Sequence, residues 1–148
     1  MRAVIQRVSS AAVTVEDRTI GQIGKGYLVL LGVEDTDATA DMEYICEKIL
    51  GLRVFEDENE KMNLDIREVE GAVLLISQFT LYGDARKGRR PSFIKAARPE
   101  TAIPLYEAAA KRLREAVPVE TGEFGANMQV SLVNDGPVTI LLDSRKTF

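Results

Sequence analysis

The chain has 148 residues, 45% hydrophobic and 28% charged, enough to bury one sizeable core and too apolar for a disordered segment. Its net charge of −4 conceals an asymmetry: residues 34–70 carry 13 acidic and four basic side chains, whereas Ala85 to Arg98 holds six basic residues (Arg86, Lys87, Arg89, Arg90, Lys95, Arg98) and no acidic one. With no histidine and a single cysteine, Cys46, the chain can form no imidazole-based triad and no internal disulfide, and no metal or other cofactor is expected.

Residues 2–8 and 11–16 predict two strands separated by Ser9-Ser10, and Gly21, Gly24 and Gly26 punctuate a loop. Tyr27 to Val33 is a continuous apolar run, as in a strand buried on both faces. A helix is expected from Thr39 to Leu50, with Met42, Ile45, Cys46, Ile49 and Leu50 on one face and Asp35, Thr36 or Asp37 as N-cap. Arg53–Phe55 reads as a short strand, Glu56–Lys61 as an acidic hairpin or excursion, and Ala72–Phe79 as a second buried strand. After the glycine-rich basic loop Gly83–Ser92, a second helix is expected over Thr101–Ala116. Its stripe is Ile103, Leu105, Tyr106, Ala109, Leu113 and Val117, and Pro104 falls in its first turn. Met128–Val133 and Val138–Leu142 complete the chain as a hairpin turning through Asn134-Asp135-Gly136-Pro137. The order β-β-β-α-β-β-α-β-β predicts one compact α/β domain over residues 1–148, with mixed, largely antiparallel sheets and two helices.

The run Ala72–Ile76 is too short to span a bilayer, Met1–Arg7 lacks the apolar stretch of a signal peptide, and a lone cysteine suits a reducing compartment, so a cytoplasmic protein is expected. The glycines of Gly21-Gln-Ile-Gly24-Lys-Gly26 fit neither a phosphate loop nor a dinucleotide fingerprint. Cys46 reads as a small buried hydrophobe, and Asp57 and Glu58 as solvated carboxylates. The basic segment is either a solvated loop or a surface that draws a phosphate-bearing ligand.

Two stretches stand out. In Ser77-Gln78-Phe79-Thr80-Leu81-Tyr82-Gly83-Asp84, a buried strand turns abruptly polar at its C-terminal end, where α/β sheets commonly hold ligands. Gln78, the hydroxyls and nearby main-chain N–H groups suit a carbonyl and its oxyanion, or else merely satisfy a strand end. In Asn134-Asp135-Gly136-Pro137, proline in a ladder is unusual. A plain hairpin turn is the simplest reading; a cis bond aiming two carbonyls at an ammonium, as a main-chain filter for chirality, is the other.

The start Met1-Arg-Ala-Val-Ile-Gln-Arg-Val8, the block Ser77-Gln-Phe-Thr-Leu81 and the block Asn134-Asp-Gly-Pro-Val-Thr139 together resemble the D-aminoacyl-tRNA deacylase family, in order along essentially the whole chain. The resemblance implies that fold, and a cytosolic homodimer that hydrolyses the ester of D-amino acids, and of mischarged glycine, on the terminal adenosine of tRNA. Such an enzyme proofreads translation. It further implies that Ser77, Gln78, Phe79 and Thr80 line the catalytic pocket. Gly136 and Pro137 would form a cis peptide reaching into the partner's pocket to hold the amino group and exclude L-amino acids. Arg7 would support that peptide, and Phe124 and Met128 would pack on the terminal adenine, where core packing is the other reading. Thr80 stands at a position proposed as nucleophile in the family. A hydroxyl with no base to activate it favours instead direct attack by water, with Gln78 and the Phe79 N–H binding and stabilising the oxyanion. The alternatives are a non-catalytic module that binds a tRNA acceptor stem through Arg86–Arg98, and a small-molecule-binding dimer.

Overall fold

A computed structural model describes residues 1–148. Its strands are β1 (Arg2–Val15), β2 (Arg18–Ile23), β3 (Gly26–Gly32), β4 (Phe55–Glu56), β5 (Met62–Leu64), β6 (Ala72–Ser77), β7 (Val119–Thr121) and β8 (Gln129–Asp143); the helices are α1 (Thr39–Gly51) and α2 (Pro99–Arg114). One sheet runs β2-β1-β3-β6-β7, with β8 on the other edge of β1. Pairing is antiparallel around β1 and parallel at β3–β6 and β6–β7. β4 and β5 form a separate hairpin over the acidic stretch.

The two apolar runs are central strands, and their alternate residues serve two cores. Tyr27, Val29, Leu31, Val73 and Leu75 face α1 and α2 in a cluster of 25 buried residues. Leu28, Leu74 and Ile76 face the other way, into a cluster of seven with Val8, Ala11, Val13 and Ile23. Such full burial is worth about 1.5–3 kcal/mol per large side chain, which is why no polar residue interrupts either strand. No helix is long and apolar enough to cross a membrane.

Several expectations are corrected. Ser9-Ser10 does not end a strand: β1 continues through it while its second neighbour changes from β3 to β2 and its register with β8 shifts. Both serines reach solvent, so a bulge reads like a turn in sequence. Gly21 lies within β2, not in a loop. The strand expected to Phe79 ends at Ser77. β7 has too few residues for a periodic signal. In α1, Asp37 caps nothing; Ala38 is the N-cap, its N–H donating to Asp41 Oδ2 at 2.9 Å. Asp37 instead accepts from the Glu34 N–H at 2.7 Å and from the Met1 ammonium at 2.8 Å. Helix α2 starts two residues early, at Pro99, which puts Pro104 inside the helix on an exposed position. Its buried face is Ala102, Tyr106, Ala109, Ala110 and Leu113, so alanines stand where Ile103 and Leu105 were expected.

The largest correction concerns the end of the chain. Residues 129–133 and 138–143 are one strand, running antiparallel along β1 from Thr14 to Arg2. Asn134 pairs with Val8 and Thr139 with Gln6, so the four residues Asp135–Val138 face a single residue of β1, Arg7. The stretch predicted as a hairpin turn is thus an excursion from a continuous ladder.

Cys46 is fully buried, with its thiol against Met42 Sδ and the Ala109 carbonyl. Burial, aided by the charge of Glu43, pushes the thiol up to about 12. In the unfolded chain it ionises near 8.5, so the stability it contributes is complete below that pH and is lost as pH rises toward the folded value. Unfolding free energy is expected to fall by about 1.4 kcal/mol per pH unit above pH 9 from this group alone. Urea titrations of wild type and Cys46→Ala should show the variant with the shallower alkaline slope.

Candidate active site

Strand β6 delivers the first stretch. After Ser77 the chain leaves the ladder at Gln78, whose N–H donates to the Leu31 carbonyl at 2.8 Å. A 3-10 turn, Phe79–Tyr82, follows, and its first bond runs from the Leu81 N–H to the Gln78 carbonyl at 3.2 Å. The N–H groups of Phe79 and Thr80 precede that bond and have no acceptor within the turn. Two main-chain donors therefore stand side by side at the strand end.

Next to them lies a cavity of about 270 Å³. Ser77 and Gln78 supply its polar side chains, and Leu31, Val33, Ile76, Phe79 and Val130 its apolar walls. Phe124 and Met128 line it as well. The Phe124 ring lies 6.0 Å from that of Tyr106, tilted by 58°. The Tyr106 hydroxyl donates to the Leu75 carbonyl at 2.7 Å, and burial pushes it up to about 12, so it stays neutral. No carboxylate, lysine or arginine lines the cavity. Thr80 is not among the lining residues; its hydroxyl accepts from Gln78 Nε2. Such a space takes a flat, mostly apolar group such as a nucleobase or amino-acid side chain, with a carbonyl oxygen at its polar rim.

Ser77, Gln78, Phe79, Phe124 and Met128 are thus brought together, whereas Arg7, Gly136 and Pro137 are not part of their own chain's cavity. The excursion exposes Gly136 and Pro137, joined by a cis peptide bond. Gly136 has φ +137°, and a Cβ there would sit 2.8 Å from Val138 Cγ2 and 3.2 Å from Arg7 Nη2, so only glycine fits. Asn134 Oδ1 accepts from the Val138 N–H at 2.8 Å across the base of the excursion. Beneath it, Arg7 is 6% exposed, donating from Nη1 to the Val54 carbonyl at 2.6 Å and from Nε to the Asp135 carbonyl at 3.0 Å.

Sequence reasoning missed Tyr106, Ala97, Ala102, Gly125 and Ala126 as cavity residues. Tyr106 sits on the expected apolar stripe and looked like core. The small residues leave space instead of filling it, and the only hint was that Gly125 and Ala126 fall between Phe124 and Met128.

Truncating Arg7 strands the buried Val54 carbonyl and the half-buried Asp135 carbonyl. Arg7→Ala is expected to cost about 2–3 kcal/mol, read from urea unfolding. A loss below about 0.5 kcal/mol would show that the excursion stands without this anchor.

Comparison with known proteins bears on what such a site serves. The family model described as D-Tyr-tRNA(Tyr) deacylase matches residues 4–143. The D-aminoacyl-tRNA deacylase of Clostridioides difficile (strain 630) is 61% identical over 100% of both chains. That of Koribacter versatilis (strain Ellin345) is 63% identical, again over 100% of both. Among solved structures, one described as a c-Myc DNA unwinding element binding protein superimposes with a TM-score of 0.92 at 42% identity, covering 97% of this chain and 98% of that one. A probable eukaryotic D-amino acid tRNA deacylase shares the fold, with a TM-score of 0.81 at 19% identity over 96% of this chain and 98% of that one. By sequence along its whole length and by fold, the chain belongs to the D-Tyr-tRNA(Tyr) deacylase family, and it is a hydrolase of ester bonds.

Proposed function

We propose that this chain hydrolyses the ester joining a D-amino acid, or mischarged glycine, to the terminal adenosine of tRNA in the cytoplasm, and rejects the L-forms. Family membership supports the reaction class. The observation that carries the mechanism is the pair of N–H groups at Phe79 and Thr80 beside an apolar cavity that holds no general base. An aminoacyl ester is already activated, so positioning a water and stabilising the oxyanion with fixed donors supplies what the reaction lacks. Gln78 binds the reacting carbonyl, Ser77 orders the strand end, and Phe124 and Met128 pack on adenine. The neighbouring hydroxyl of the terminal ribose can relay the proton that no side chain takes.

Thr80 acts as a partner of Gln78 and not as a nucleophile, since its hydroxyl is bonded to an amide that cannot remove its proton. Thr80→Ala is therefore expected to keep deacylation within about tenfold of wild type, against the loss of 10⁴-fold or more that follows removal of a nucleophile. On one tRNA charged with the D- and L-forms of the same amino acid, purified protein should release the D-form alone. Equal rates, or turnover of neither, would sink the reading; salt-sensitive binding of tRNA without turnover would favour a non-catalytic acceptor-stem module.

The filter is read as a property of a homodimer. Gly136 and Pro137 are exposed and outside their own cavity, and their carbonyls suit an ammonium presented by a second protomer's pocket. The 15-residue edge strand β8 exposes Leu132, Val133 and Leu141, a surface that edge strands seldom leave uncovered. Subunit mixing tests this. Gly136→Val disables the excursion and Gln78→Ala the pocket, and each homodimer is expected to lose activity. Mixed heterodimers should regain it, because one of their two sites would combine an intact pocket with an intact excursion. No recovery in verified heterodimers would place the whole site within one chain.

A further inference from the structure

The basic segment is adjacent to an exposed apolar patch that continues outward from the rim of the cavity. Phe79 lines the cavity yet is 57% exposed, and its ring meets Phe93 edge-on at 5.2 Å. Phe93 is itself 36% exposed, and Ile94, next to it, is 89% exposed. The patch is held in place from both sides. Asp84 and Ser92 exchange main-chain hydrogen bonds of 2.8 and 2.9 Å ahead of it; behind it the Asp35 N–H donates to the Lys95 carbonyl at 3.0 Å and the Ala97 N–H to the Val33 carbonyl at 2.9 Å. Gly83 leaves room for the ring, since a Cβ there would lie 3.1 Å from Phe93 Cε1.

The cations beside this patch are mostly free. Arg86 is committed to Asp84 through two bonds of 2.9 and 2.7 Å, and Arg98 lies 3.9 Å from Glu100. Lys87, Arg89, Arg90 and Lys95 are exposed and form no ion pair. Of the neighbouring carboxylates, Asp84 and Glu100 are engaged as above and Glu34 pairs with Arg145 at 2.7 Å, which leaves Asp35 exposed at the Lys95 end.

We propose that Phe79, Phe93 and Ile94, with Arg89, Arg90 and Lys95, form a platform for the unpaired nucleotides that precede the terminal adenosine of an RNA 3′ end. The inference rests on the reading of the cavity as the pocket for that adenosine. A strand whose last base and amino acid fill the cavity must leave past Phe79, the one residue shared by cavity and patch. Outward from there the surface offers an aromatic face and an aliphatic side chain for a base, then unpaired cations for the phosphates. That is the composition of single-strand sites, where stacking supplies sequence-tolerant affinity and charge follows the backbone. A duplex presents no base face and would gain only from the cations.

The test uses full-length protein and three uncharged probes: a four-nucleotide single-stranded RNA ending in adenosine, the same sequence within a blunt duplex, and adenosine alone. Titration calorimetry gives the affinities and light scattering the oligomeric state. The single strand is expected to bind better than the duplex. Phe93→Leu and Ile94→Asp should weaken the tetranucleotide about tenfold and leave adenosine unaffected. Arg89→Gln with Arg90→Gln, on an exposed loop, should reduce the slope of log affinity against log salt by about 1.4. Wild-type affinity in all variants, equal losses for adenosine, or binding of duplex as strong as single strand each overturn the proposal. So does conversion to monomer by Phe93→Leu and Ile94→Asp, which would assign the patch to a contact between copies. Deacylation by wild type is measured alongside: absent turnover with the expected binding defeats the hydrolytic reading alone, and normal turnover with unaltered variant binding defeats the platform alone.

Discussion

Strand β1 is the spine on which every functional element hangs. Its 14 residues pair with β3 and then β2 on one edge and with β8 along nearly the whole of the other. Because the ladder resumes on both sides of Asp135–Val138 with its register displaced, the surplus residues have nowhere to go but outward. Arg7 lies under the gap they leave and binds the Asp135 carbonyl that the ladder abandons. The exposed Gly136-Pro137 pair thus follows from a pairing constraint elsewhere in the strand, and its main chain is kept rigid by a buried guanidinium instead of by side-chain packing.

The cavity follows from the same spine by another route. β3 and β6 pair in parallel, so their C-terminal ends lie together, and Gln78 leaves the sheet just where Leu31 anchors it. The strand end, α2 and the segment before β8 enclose a space that small residues keep open. What lines it is apolar apart from main-chain groups, Ser77, Gln78 and a tyrosine held neutral by burial. Fixed donors stabilise a developing oxyanion without the reorganisation that water must undergo, which is the physical basis of the proposed chemistry without a base.

Charge is partitioned accordingly. Of the 13 acidic residues of 34–70, three lie in α1, four in the β4–β5 hairpin and six in the connecting segments, whereas the free cations lie beyond Gly83, adjacent to the cavity through Phe79. A chain with net charge −4 can attract a polyanion only through such local separation, and the attraction is short-ranged at physiological salt. In the proposed platform, stacking surface and cations share one pinned segment, so that holding a strand would need no overall basic surface.

Local composition and periodicity by themselves determined the two buried strands, the face of α1, the absence of an imidazole and the two odd blocks, because burial on both faces and helical spacing leave marks within a few residues. Resemblance added the family, since three separate blocks occur in order. Tertiary structure alone decided that Ser9-Ser10 is a bulge, that alanines stand on the buried face of α2, and that Tyr106 and the small residues beside Phe124 shape the cavity. It also decided that the last hairpin is one strand. A turn and an excursion share the same glycine, proline and asparagine, and they differ only in whether the two flanking segments pair with each other or with β1. That choice depends on a partner more than a hundred residues away, which no local pattern encodes.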